Sequence, residues 1–211
     1  MDADRIARAC ADLGSRRTRG ELGEAIAALV LTYSPRDLGQ MRRNFAITIR
    51  DFNPGYREEL EETIAGHLQG TYQAVRRMHG LRSFASMRGP LAPGAAAYWR
   101  MVAAQCSNGD DGQVRLRFLK FLLSGFCMFV QDLPGHPVGM PFPGGDRVTF
   151  VDGVYYCPVR EKAGDVDSAL CPFCPALQTP EIGYLRPPVQ GSEHRKQEFI
   201  RNTYEHHHFN G

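Results

Sequence analysis

Apolar residues recur at helical spacing through the first 130 positions. Leu22, Ile26, Leu29, Val30 and Tyr33 fall on one helical face, which predicts an amphipathic helix ending at Ser34-Pro35. Serine suits an N-cap and proline the first helical position, so that pair opens the next helix. Its stripe is Leu38, Met41, Phe45, Ile49 and Phe52. Asn53-Pro54 repeats the signal and begins a long helix running to Gly80, with Leu60, Ile64, Leu68, Val75 and Met78 as its buried face. Glu58, Glu59, Glu61 and Glu62 lie toward its N-terminus and Arg76 and Arg77 toward its end, the order that suits the helix dipole. After a loop over 81–92, residues 95–106 predict a short helix carrying Tyr98 and the single tryptophan, Trp99. A turn cluster follows, and then 113–130, apolar on almost every side from Phe118 onward. A helix apolar all round belongs in the middle of a bundle.

The pattern changes near residue 132. Ten of the 14 prolines lie between Pro134 and Pro188, and proline cannot continue a helix. Residues 147–151 and 154–157 alternate around Asp152-Gly153, a strong hairpin signal because a type I′ turn needs positive φ at both central residues. A final helix is expected over about 192–204. The expected architecture is therefore mainly α: a helical bundle over 1–132, a Pro/Cys-rich β-hairpin and metal knuckle over 133–190, and a C-terminal helix and tail over 191–211.

The cysteines carry the clearest chemistry. Of six, Cys157, Cys171 and Cys174 form a C-x13-C-x2-C arrangement beginning at the end of the hairpin. A C-x2-C pair lets two thiolates converge on one ion, and a third from a strand end gives three corners of a tetrahedron. The fourth corner is expected from Cys127, giving an all-thiolate set suited to zinc or a [4Fe–4S] cluster, with His136 as the alternative. Cys10 and Cys106 lie on helical stretches with no partner at ligand spacing. Cys171-Pro-Phe-Cys174 also resembles the dithiol of glutaredoxin-like proteins, so a dithiol oxidoreductase is the alternative function, although the flanking sequence lacks the strand–helix setting of that fold. His67 and His79 are isolated helical histidines, and His206, His207 and His208 form a run near the terminus.

Composition narrows the choice little further. The first twenty residues lack the apolar core of a secretory signal, so a cytoplasmic setting is expected, and there thiols or metal ligands outweigh disulfides. The longest apolar run, Phe118 to Val130, is interrupted by Lys120 and falls short of a membrane span. A net charge of +2 and a pI near 8.2 argue against a dedicated nucleic-acid module. No P-loop, dinucleotide fingerprint, H-E-x-x-H or G-x-S-x-G is present, so no reaction is assigned and the partner is left open.

His136-Pro-Val-Gly139, Pro141-Phe-Pro-Gly-Gly145, Tyr155-Tyr-Cys-Pro-Val159 and Ala169-Leu-Cys-Pro-Phe-Cys-Pro175 resemble motifs of a family of uncharacterised archaeal proteins carried mainly by methanogens. The resemblance implies an archaeal cytoplasmic setting and brings no catalytic residues with it. A strictly anaerobic host would shift the expected metal from zinc toward an iron–sulfur cluster.

Overall fold

A computed structural model describes residues 1–161 and 170–180. Among these, six α-helices run as α1 (Ala3–Gly14), α2 (Arg19–Val30), α3 (Pro35–Thr48), α4 (Pro54–Gly80), α5 (Ala95–Gln105) and α6 (Asp111–Gly125). A short sheet follows, of β1 (Thr149–Val151), β2 (Val154–Cys157) and β3 (Leu177–Gln178). The mainly helical reading and the hairpin hold. The C-terminal helix expected over about 192–204 lies outside the described residues.

Helix starts follow the side chains. Thr18 Oγ1 accepts from the Glu21 amide at 3.2 Å while Glu21 accepts from the Thr18 amide at 3.2 Å, a reciprocal box that opens α2. At α3 the Ser34 amide and hydroxyl both donate to Asp37, at 2.7 and 2.9 Å. The Asp37 carboxylate also pairs with Arg115, whose guanidinium lies 4.3 Å from the centre of the Tyr33 ring. One cluster thus ties the α2–α3 corner to α6.

The helical stretch expected around Cys10 is present as the first helix, and one element differs from the pattern-based expectation. That helix, α1, is capped by Asp2 and buries Ile6, Cys10 and Leu13 against the bundle, mainly beside α5. The long central helix does not run uniformly to Val130. It is α-helical to Gly125 and continues as a π-helical turn over Phe126–Gln131, closed by Asp132 in the left-handed region. Gly125 lies where this change begins, and a Cβ there would stand 2.9 Å from the Trp99 ring and 3.0 Å from Tyr98. The two rings, packed edge to face with centres 4.9 Å apart, leave no room for a side chain on the passing helix.

The core has two parts. The larger joins α1, α2, α5 and α6 around Trp99, Tyr98, Phe118, Phe121 and Phe126. Tyr98 donates from inside it to the Phe121 carbonyl at 2.7 Å. The smaller joins Phe45, Ile49, Leu60 and Ile64 of α3 and α4 to Met140, Phe142, Val148, Cys157, Val159, Cys171 and Ala176. The Pro-rich segment therefore has apolar residues of its own but completes its core against the α3–α4 pair.

The sheet is ordered β1-β2-β3. β1 and β2 are antiparallel, with Val151 opposite Val154, and Asp152 and Gly153 take positive φ as the turn requires. β3 joins β2 in parallel, placing Gln178 beside Cys157, a pairing that the spacing of the cysteines alone does not reveal.

Candidate functional site

Three of the four predicted ligands are carried by this small sheet and its crossover. Cys157 ends β2, while Cys171 opens and Cys174 caps a short 3-10 turn just before β3. Gln178 fixes the chain after Cys157: its side chain donates to the Pro158 carbonyl at 3.0 Å and accepts from the Glu161 amide at 3.0 Å. The Thr179 amide donates to the Cys157 carbonyl at 3.1 Å, and Arg160 Nε to the Ala176 carbonyl at 3.0 Å. Pairing of β2 with β3 thereby converts a sequence separation of thirteen residues into spatial proximity.

Backbone amides face two of these sulfurs. The Gly135 amide donates to Cys174 Sγ at 3.4 Å. Burial pushes the Cys157 thiol up to about 11, with the Cys174 sulfur adding to the effect, while the Val159 and Arg160 amides pull against it. Amides directed at sulfur stabilise the thiolate over the thiol, as metal coordination also does. Cys157 and Cys171 are buried and Cys174 is half-buried. Among the described residues, however, no three His, Cys, Asp or Glu side chains converge closely enough to hold an ion together, so the expected metal knuckle is not shown as a formed site.

Cys127 belongs to a different setting. It lies on the π-helical turn, where its sulfur is 3.5 Å from Thr71 Oγ1 and 4.0 Å from His67 Nε2, both on α4. Burial raises this thiol to about 11, and the Thr71 hydroxyl works in the opposite direction. His136, the alternative fourth ligand, directly follows Gly135 in sequence, and its ring meets Phe142 edge-on with centres 6.0 Å apart. Burial lowers it to about 4, with smaller contributions from His67 and Lys120, so its ring senses the same α4–α6 seam that holds Cys127. The two proposed sources of a fourth ligand thus lie along one polar seam, and Gly135-His136 links that seam to the Cys174 turn.

Of the seam's other members, the sequence marks His67 only as an isolated helical histidine and Lys120 only as a break in an apolar run. His67 and Thr71 are four residues apart on α4; Lys120, Ser124 and Cys127 recur at positions i, i+4 and i+7 along α6 and the π turn. That polar stripe within an otherwise apolar run was the available signal. Cys10 and Cys106 are buried in the main core, and burial raises them to about 12 and about 11. The acidic run on α4 has structural partners: Glu59 pairs with Arg147, and Glu61 accepts from Arg42 Nε at 2.8 Å. No helix among the described residues is long and apolar enough to cross a membrane.

Similarity to known proteins is concentrated among methanogens. A UPF0305 protein of Methanothermobacter thermautotrophicus is 52% identical over 52 residues, 25% of this chain and 34% of its own length. A UPF0305 protein of Methanopyrus kandleri is 32% identical over 85 residues, 40% of this chain and 60% of its own. One from Methanococcus maripaludis is 30% identical over 71 residues, 33% of this chain and 43% of its own. The matched stretches thus span between about a third and three fifths of these relatives. No solved structure matches the chain. The family described as "Uncharacterized protein conserved in archaea (DUF2115)" matches residues 18–179, from the cap of α2 to the end of β3, and the chain belongs to that family.

Proposed function

We propose that this is a cytoplasmic metal-binding protein in which Cys157, Cys171 and Cys174 supply three thiolates and Cys127 the fourth, with zinc as the ion and a [4Fe–4S] cluster as the alternative. The observation that carries the reading is the placement of backbone amides around two thiols of the C-x13-C-x2-C set. The Gly135 amide faces Cys174 at 3.4 Å, and the backbone just after Cys157, chiefly at Val159, favours the Cys157 thiolate. Such amides compensate the charge of a buried thiolate once a cation has displaced its proton. Binding includes a closing-up of the sulfurs, and its free energy adds to the stability of a segment whose own core is small. His136 is the alternative fourth ligand and would make a Cys3His set, which favours zinc.

Titration with cobalt(II), whose thiolate charge-transfer absorption reports cysteine ligation, tests the assignment. The band is expected in the wild type, reduced in Cys157→Ser, Cys171→Ser, Cys174→Ser and Cys127→Ser, and unchanged in Cys10→Ser and Cys106→Ser. A band that survives Cys127→Ser and falls in His136→Ala transfers the fourth position to His136. Absence of any thiolate band from folded wild-type protein overturns the proposal.

A further inference from the structure

A cleft of about 680 Å³ runs between α3 and α4, and no cysteine lines it. Leu38 and Met41 on one side and Ile64 and Leu68 on the other give it apolar walls. Glu58, Glu62 and the Arg42–Glu61 ion pair line it with charge. From α6 a single residue reaches it, Lys120, which is half-buried with its ammonium 4.5 Å from the centre of the Phe121 ring.

A lysine in this place is a distinctive choice for this chain. Of its 25 basic residues only Lys120, Lys162 and Lys196 are lysines. Arginine stays charged throughout the accessible pH range, whereas a lysine amine loses its proton when it is desolvated and then becomes a nucleophile. Burial brings Lys120 down to about 7, with Arg117 acting in the same direction and Cys106 against it. His136 also lies within electrostatic reach, and Arg42, Glu58, Glu61 and Glu62 complete the charged groups around the cleft. The three carboxylates disfavour an anionic ligand, and the apolar walls favour a small uncharged one.

We propose that the α3–α4 cleft binds a small uncharged carbonyl compound and that Lys120 Nζ condenses with it to an imine. The Nζ lone pair attacks the carbonyl carbon, the C=O π electrons move to oxygen, and the two amine protons leave with that oxygen as water as the C=N bond forms. No oxidant or metal is consumed, so the inference stands independently of the thiolate site.

Folded protein treated at neutral pH with butanal and sodium cyanoborohydride traps the imine as a stable secondary amine, which peptide mass mapping locates. The expected result is alkylation at Lys120 at least ~10-fold faster than at Lys196, because the unprotonated fraction is the reactive one. Ala65→Trp, which places bulk on the cleft wall, should suppress labelling of Lys120 and leave Lys162 and Lys196 unaffected. The Leu38→Trp protein provides the same comparison if the first variant fails to fold. The anionic aldehyde glyoxylate should discriminate less in favour of Lys120 than butanal does. Labelling of Lys120 no faster than Lys196, labelling insensitive to a filled cleft, or stronger discrimination with glyoxylate would each overturn the proposal.

Discussion

Replacing Lys120 by methionine keeps the apolar stem and removes the amine. Lys120 falls from an ordinary value of 10.5 to about 7 through burial, so between those values the unfolded chain holds a proton that the folded chain has released. Stability therefore rises with pH across this interval, and the penalty for charging the buried amine is fully present below it. Integrating the difference in bound protons from pH ~6.5 to ~8.5 gives about 2 kcal/mol, or about 1 kcal/mol once solvent at this half-buried side chain is allowed for. The neighbouring titrations act mainly outside pH ~6.5 to ~8.5 and are shared by both proteins. His136, lowered to about 4, acts on the acid side, and the thiols of Cys106 and Cys127, raised to about 11, weaken the fold on the alkaline side. Urea denaturation of both proteins at closely spaced pH values is the assay. Wild type should gain about 1 kcal/mol over the interval relative to Lys120→Met, roughly 3 °C in melting temperature for a chain of this size. Parallel stability curves would show that Lys120 is as well solvated when folded as when unfolded, and would refute the reasoning.

Other outcomes follow from particular contacts. Gly125→Val should cost about 1–3 kcal/mol in chemical denaturation, because its side chain meets the Trp99 and Tyr98 rings. Tyr98→Phe removes the 2.7 Å bond to the Phe121 carbonyl from the centre of the core and should cost about 1 kcal/mol. At Asp37, desolvation raises the carboxyl, but hydrogen bonds from Arg115 and Ser34 outweigh it and hold the group below its ordinary value. Its stabilisation is present above that ordinary value and lost as pH falls through the folded one, so Asp37→Asn should flatten the acid limb of the stability curve. His136 is held neutral by burial, so protonation destabilises the fold as pH falls from about 6.5 toward 4, and His136→Phe should remove that part of the profile.

Most of the helical layout was legible because cap and stripe agree. Ser34-Pro35 and Asn53-Pro54 are followed by apolar residues at helical spacing, and α3 and α4 begin at Pro35 and Pro54. The helical stretch expected around Cys10 is α1, and Ile6, Cys10 and Leu13 carry its period. Thr18-x-x-Glu21 was a readable capping box. The π turn was not legible: its composition is that of any buried helix, and only Trp99 and Tyr98, packed on Gly125, reveal the crowding where the winding changes. For the site, spacing alone singled out Cys157, Cys171 and Cys174. It could not supply the Gly135 amide, which depends on the 133–136 segment passing the Cys174 turn, nor the return of β3 beside β2. Nor could it foresee Cys127 between His67 and Thr71, a meeting set by the packing of α4 against the end of α6.

Metal content of protein purified without oxygen or chelators tests the central claim most directly. The account predicts roughly one zinc per chain, or a brown protein absorbing near ~400 nm if a cluster is bound, with a melting temperature lowered by chelator and metal lost in Cys157→Ser. Folded protein with neither zinc nor iron, and a melt that chelator leaves unchanged, would contradict it.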